Sequence, residues 1–300
     1  MPSRWHRFDR TLKLIAEQEP TGLLDWLAEV LPIPGPVTLL DANLSKELLD
    51  SAREVDVLWR AEARGKPFLL HLEFQLKRDE PGRAEMGERL AGYIMRLYER
   101  EHLPVTSVVI YLQRLGQLPS SPFLIPSGLD SRSTLRCDYE VIKMWELAPA
   151  TVLARPYPAL WPLAGMMQGV KAETVIDIAQ QIVETPLAQE QKSELIGQLV
   201  VLAGIQLAPE VISATFRRHP MMDEMLEASS TAHMFWERGR IEGLRDVARL
   251  GLEHRFGALG ADLLQAIGAA DEPTLTTIIT YSEESLEQVR ARLGLPGEAQ

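Results

Sequence analysis

The stretch Glu54–Leu76, EVDVLWRAEARGKPFLLHLEFQL, decides the fold. Its first part alternates, with Val55, Val57 and Trp59 on one face and Asp56 on the other, which predicts a strand over Glu54–Ala61. Its second part predicts a strand over Pro67–Leu76. There Leu70, Leu72, Phe74 and Leu76 share one face and His71, Glu73 and Gln75 share the opposite one, because successive strand side chains alternate. Gly65-Lys66 between the two runs suits a hairpin turn. An adjacent pair of strands built this way places Asp56 next to Glu73 and Gln75.

The flanking elements extend the pattern. After Glu80-Pro81-Gly82, the segment Arg83–Glu101 sets Met86, Leu90, Ile94 and Leu97 on one helical stripe, and Pro104 ends it. Val105–Leu112 (VTSVVIYL) is a short, β-branched apolar run of the kind found in buried parallel strands. Upstream, Phe8–Leu31 is helical with a break at Pro20-Thr21-Gly22, Pro32–Pro36 is a turn, and Val37–Asn43 is a short strand. Leu44–Leu49 is a short helix or an extended connection. Helix, strand, strand, helix, strand is an α/β order, with Arg83–Glu101 as the crossover.

Beyond Gln113 the character changes. Gln117–Ser133 is rich in Pro, Ser and Gly and reads as a long loop, and Arg136–Leu147 alternates as one more strand. Past Pro162 the periodicity is helical, over Ala172–Glu184, Gln189–Leu207, Pro209–Arg218 and Arg238–Leu293, with a joint near residues 255–260. The expectation is therefore a mixed sheet flanked by helices over residues 1–162, a helical extension over 163–228, and a small all-helical C-terminal domain over 229–300.

Composition narrows the class. With 46% apolar and 24% charged residues the chain is globular in type, and a lone Cys137 permits neither an internal disulfide nor a thiolate zinc cluster. A reducing cytoplasm is the expected home. The N-terminal residues are interrupted by charges, unlike a signal peptide, and no apolar run is long enough to span a bilayer. The net charge of −11 argues against non-specific nucleic-acid binding by the whole chain. It is unevenly spread: residues 1–115 hold 16 Lys+Arg against 18 Asp+Glu (net −2), and residues 116–300 hold 15 against 24 (net −9). No GxGxxG, GxxxxGK[ST] or GxSxG motif occurs, and the histidines lack zinc-ligand spacing.

Two hard carboxylates converging from Asp56 and Glu73 suit Mg²⁺, which can activate water and neutralise charge on a phosphodiester. The alternative is a solvated sheet face, where Asp, Glu and Gln are common. His71 is expected as a structural, partly buried histidine. Arg89, Tyr93, Arg96 and Arg100 form one helical stripe that could grip phosphates, or, for Arg96 and Arg100, a solvated face balanced by Glu99 and Glu101. Met221, Met222, Met225, Met234, Phe235 and Trp236 cluster as core or a self-association surface. The charge-alternating Arg238–Arg249 reads as an exposed helix, and a homodimer contact through this helical region is one expectation.

These residues carry a family resemblance. Asp56, sixteen residues, then Glu73-Phe74-Gln75 resembles the D…ExQ form of the PD-(D/E)XK nuclease motif. Arg89 and Tyr93 in RLAGY are similar to the downstream R…Y pair of the Rpn-like recombination-promoting nucleases, a transposase-like group. The opening His6–Lys13 resembles the D…FK start of that group, with Leu12 where Phe is usual. The apolar, Pro-rich stretch around Trp145–Pro162 is similar too, and His254–Gly257 followed by Ser285-Leu286-Glu287 resembles a short helical domain of unknown function that often ends such proteins.

The resemblance implies a restriction-endonuclease-like core over 1–162 and metal-dependent hydrolysis of DNA, with Mg²⁺ or Mn²⁺ as cofactor. It implies Asp56 and Glu73 as metal ligands, Asp9 as an accessory acid, Gln75 in place of the usual lysine, and Arg89 and Tyr93 against DNA. A neutral amide orients water but supplies no positive charge, so more of the work falls to the metal. Three functional expectations follow: an endonuclease linked to recombination or mobile elements, a catalytically degenerate relative acting as a non-enzymatic interaction or DNA-associated protein, and a structural α/β domain with a helical adaptor.

Overall fold

The computed structural model describes residues 6–296 apart from positions 32, 34, 45, 47–54, 77–84, 115, 117, 130, 131 and 282. The chain divides into two compact units, Trp5–Thr231 and Ala232–Gln300.

The first unit is built on a five-stranded mixed sheet. β1 (Val37–Asp41), β2 (Val57–Ala63) and β3 (Lys66–Gln75) form an antiparallel meander. Helix α3 (Met86–Glu101) then crosses over to β4 (Val105–Tyr111), which runs parallel to β3. A last strand, β7 (Glu140–Lys143), lies parallel beside β4, giving the order β1-β2-β3-β4-β7. The α/β order and the parallel pairing of Val105–Tyr111 match the expectation. The hairpin between β2 and β3 turns one residue earlier than the sequence suggests. Ala63 pairs with Lys66, and Arg64 and Gly65 both take positive φ (52° and 71°), the backbone of a type I′ turn.

Two further differences have one cause, the choice of strand partner. The expected loop 117–133 contains β5 (Phe123–Pro126), which pairs with β6 (Ser133–Cys137) in a separate two-stranded ribbon. The single strand expected over Arg136–Leu147 is divided among β6, β7 and a 3-10 turn at Met144–Glu146. Alternation reports that residues are extended; it does not report which neighbour they pair with. The expected short element Leu44–Leu49 and the expected break at Glu80-Pro81-Gly82 fall mostly or wholly outside the described residues.

Both faces of the sheet are covered. α3 packs Met86, Leu90, Tyr93 and Leu97 onto Leu58, Leu69 and Val109. On the opposite face, α1 (His6–Gln18) and α2 (Pro20–Val30) bring Leu12, Ile15, Leu23 and Trp26 against Phe74 and Ile110. The break between the two helices falls at Glu19-Pro20, where proline takes the first helical position and the Glu19 side chain accepts the Gly22 amide at 3.2 Å. Central strand β3 is thus enclosed, and Leu69, Leu70, His71 and Leu72 are each fully buried.

A 3-10 segment, Pro158–Met166, leads from α4 (Ala150–Leu153) to α5 (Ala172–Glu184) and α6 (Gln189–Ala203), followed by α7 (Pro209–Phe216) and α8 (Pro220–Glu227). In α8, Met222 and Met225 are core while Met221 is exposed. The side chains of Met234 and Phe235 lie outside the described residues. Helix α9 (Ser230–Phe256) continues into the second unit, where α10 (Ala261–Ala269), α11 (Glu272–Thr280) and α12 (Leu286–Arg292) close a small core of Ala248, Leu252, Ile267, Leu275, Ile278 and Val289. Among the described residues, no helix is long and apolar enough to cross a membrane.

The contact between the 3-10 segment and α6 is tight enough to test. A Cβ on Gly165 would sit 2.9 Å from the Leu199 carbonyl oxygen and 3.0 Å from the Ala203 nitrogen, both backbone atoms. Gly165→Ala should lower stability by about 1–3 kcal/mol, the usual cost of overpacking. Gly243→Ala, on an α9 position with open space around it, should raise stability by up to about 1 kcal/mol through helix propensity. Thermal and urea unfolding of the two variants should therefore move in opposite directions.

Candidate active site

The β2–β3 register builds the site. Val57 pairs with Leu72, so the next position outward on each strand sets Asp56 against Glu73. Asp56 sits just before β2 and its Oδ2 accepts the Phe74 backbone N–H at 2.8 Å, which pins the carboxylate to the end of the ladder. Its Oδ1 meets Lys13 Nζ at 2.7 Å, and the same ammonium lies 3.0 Å from Asp9 Oδ2. Asp9 and Lys13 are one helical turn apart on α1, a spacing that stacks the two side chains on one face.

Glu73 is held from the other side. Its Oε1 is 3.1 Å from His71 Nε2, and His71 Nδ1 is 3.0 Å from Ser107 Oγ. Ser107 is the β4 residue paired with His71, so the parallel register delivers the hydroxyl. A carboxylate oxygen can only accept; with Glu73 ionised and the ring neutral, Nε2 carries the hydrogen and Nδ1 accepts from the serine hydroxyl. Arg89 of α3 sets Nη2 3.8 Å from Glu73 Oε2. The Tyr93 ring meets the His71 ring edge-on, with centroids 5.6 Å apart.

Burial bears on one of the two sequence readings of this face, the solvated one. His71 is 0% exposed, Glu73 6% and Arg89 5%, so α3 covers the polar side of β3 and a solvated sheet face is overturned. Buried ionisable groups are costly unless paired, and here each has a partner. His71 is more deeply buried than the expected partly buried histidine. Arg89 and Tyr93 lie inward, against Glu73 and His71. Gln75 follows two residues after Glu73 on the same face, half-buried. Arg96 bonds back to the Gly92 carbonyl at 3.0 Å, and Arg100 pairs with Glu101, which also holds Arg60.

The neighbouring charges act on Asp56 and Lys13. Burial first, then the charges of Glu73 and Asp9, push the Asp56 carboxyl up to about 6, against the pull of Lys13. Burial opposes the charge on Lys13, yet Asp56 and Asp9 outweigh it and hold the ammonium above its ordinary pKa. Among the described residues, no three His, Cys, Asp or Glu side chains are grouped to hold a metal ion. The oxygens present are hard donors of the kind Mg²⁺ and Mn²⁺ take, and the Lys13 ammonium is a stand-in cation between two of them. The donor chemistry fits a divalent ion; the cation position is filled by lysine.

Sequence reasoning left out the roles of Lys13 and Ser107. The Asp9–Lys13 helical spacing was a visible signal for the first, while the second depends on a register that no local pattern reports. An open groove of about 1050 Å³ lies beside β7, lined by Arg114, Ser120, Tyr139, Lys143 and Trp145 with several acids, and none of the candidate residues borders it. The sequence matches no family model, no curated protein and no solved structure.

The raised Asp56 carboxyl has a definite sign in stability. Its folded pKa of about 6 lies above the ordinary 3.8, so between those values the folded state binds more proton than the unfolded one. Stability from this group is present at low pH and falls as pH rises from about 4 to 6. Asp56→Asn should flatten that part of the stability profile, as read from urea midpoints at successive pH values.

Proposed function

We propose that the chain is a divalent-metal-dependent DNA endonuclease with a restriction-endonuclease-like core, of the Rpn-like kind and linked to recombination or mobile elements. The observation that carries the reading is the Asp56–Glu73 juxtaposition, two electrostatically coupled carboxylates at the end of a buried strand pair. The spacing resemblance at Asp56 and Glu73-Phe74-Gln75 supports it from the sequence side.

In this reading Asp56 and Glu73 would hold the ion, with Asp9 accessory to them. The ion, when bound, supplies Lewis-acid stabilisation of a phosphodiester and a more acidic water. Gln75, half-buried two residues beyond Glu73, orients the attacking water through its amide. His71, backed by Ser107, fixes the direction of the Glu73 carboxylate through one oxygen, and Arg89 balances its charge near the other. The inward placement of Arg89 and Tyr93 suits positioning residues that act through Glu73 and His71. Contact with DNA falls to groups further out on the same face.

A second reading, a non-catalytic interaction protein, is favoured by one observation: Lys13 lies between Asp9 and Asp56, and a lysine there satisfies the cluster without metal. Plasmid cleavage separates the two. In the presence of Mg²⁺ or Mn²⁺ the wild type should nick or linearise supercoiled DNA. Glu73→Ala should lose on the order of 10²-fold in rate, the scale of removing one group that stabilises developing charge. Cleavage unchanged in Glu73→Ala would remove this site from the chemistry, and inactivity of the wild type would leave the second reading in place.

A further inference from the structure

We infer that Lys13 is an exchangeable internal cation: it occupies the cation position of the Asp56 cluster, and a divalent ion binds there only when Lys13 gives up Asp56 and keeps Asp9. The inference rests on the carboxylate site proposed above and concerns how that site takes its ion.

The geometry has the parts such an exchange needs. Lys13 Nζ is within hydrogen-bond distance of both carboxylates, 2.7 Å from Asp56 and 3.0 Å from Asp9. The two contacts differ in kind. Asp9 shares the helix with Lys13 one turn away, so that pair persists wherever the helix goes. Asp56 belongs to the end of β2, and its bond to Lys13 links separate elements. Lys13 therefore has a second seat already in contact when it leaves the first.

Exposure points the same way. The Lys13 and Asp9 side chains are 32% and 33% exposed, against 15% for Asp56. Lys13 and Asp9 are thus the more exposed partners of the cluster, and the flexible lysine stem can withdraw along Asp9 without unpacking the core. The other Asp56 oxygen stays fixed by the Phe74 amide, so the carboxylate remains in place.

Charge determines which ions succeed. The strand register sets Glu73 against Asp56 and the shared ammonium brings Asp9 beside it, so a single positive charge faces more than one carboxylate. A monovalent ion brings no more charge than the tethered lysine and lacks its high local concentration, so Na⁺ and K⁺ lose the competition. A hard divalent ion brings twice the charge and prefers carboxylate oxygen. The exchange thus keeps the cluster neutralised without metal and filters the ions that enter it.

Mn²⁺ binding to the full chain tests this, measured by calorimetry and by the EPR signal of free Mn²⁺. Lys13→Met should bind Mn²⁺ at least tenfold more tightly than wild type, and Lys13→Arg no more tightly than wild type. Lys46→Met removes a lysine that pairs with Glu17 at 2.9 Å outside the cluster, and should change affinity less than twofold. Equal or weaker binding by Lys13→Met, absence of binding in both, or the same gain in Lys46→Met would overturn the inference.

A measurement on the wild type guards against a variant that fails to fold. Amine-labelling of Lys13, followed by mass spectrometry, should rise several-fold on Mn²⁺ saturation as the ammonium leaves Asp56; unchanged labelling overturns the exchange. Plasmid cleavage remains the separate test of the nuclease reading. Tighter Mn²⁺ binding by Lys13→Met beside an inactive wild type would uphold the exchange and remove the nuclease reading. An active wild type with no Lys13 effect would do the reverse.

Discussion

β3 is buried on both faces, and that single constraint organises the first unit. A strand in the middle of a covered sheet is expected to be apolar throughout, yet this one carries His71 and Glu73 at alternate positions with almost no exposure. Each must find its partners inside the protein. The parallel neighbour β4 supplies Ser107 at the position paired with His71, and the crossover helix α3 supplies Arg89 and Tyr93 above them. The antiparallel neighbour β2 begins at Val57, directly after Asp56, and α1 supplies Lys13 to that carboxylate. Four elements are thus tied by polar contacts to the end of one hairpin, and a one-residue slip of β3 would exchange His71 and Glu73 for leucine and phenylalanine on the α3 side.

Buried charge of this kind is weak evidence for stability. Pairing in a low-dielectric interior seldom more than repays the desolvation of the ions, and apolar residues of similar volume would serve packing as well. The Asp56 carboxylate sharpens the point. Burial and two neighbouring carboxylates raise Asp56, so its ionised form at neutral pH is an electrostatic liability even with Lys13 beside it. A cluster that costs the fold something and is nonetheless assembled by the register of two strands supports the functional reading proposed above.

What could be read from the sequence follows the range of the interaction. The β2–β3 pair was legible because period-two alternation, a glycine turn and the strand lengths are all local. Helix Ala172–Glu184 was legible for the same reason, its buried positions recurring at helical spacing. The β5–β6 ribbon was hidden because Phe123–Pro126 is short, sits among prolines and serines, and is stabilised by a partner strand and by packing against the α3 core. The split of Arg136–Leu147 was hidden because a single alternating run does not say that its two halves join different sheets. At the site, Asp56, Glu73 and Gln75 were legible as one face. The enclosure of that face was not, because it depends on where α3 lands.

The same distinction bears on the charge balance of the cluster. With Gln75 at the position two beyond Glu73, the strand itself offers an amide and no charge. Considered from the strand alone, the site is short of one positive group. The fold supplies cations from two helices: Lys13 from α1 at Asp56, and Arg89 from α3 near Glu73. Charge balance is a property of the space around the carboxylates, and the chain meets it with residues far apart in sequence. The net charge shows the same limit of counting. The −2 over residues 1–115 says little about DNA, because the acids that matter are paired in one cluster while the sum spreads them over the whole segment. Asp56 and Glu73 are already held by lysine, arginine and a backbone amide. In the nuclease reading proposed above, the local field a phosphodiester would meet depends on whether Lys13 stands between Asp9 and Asp56, as it does here, or withdraws to Asp9 alone.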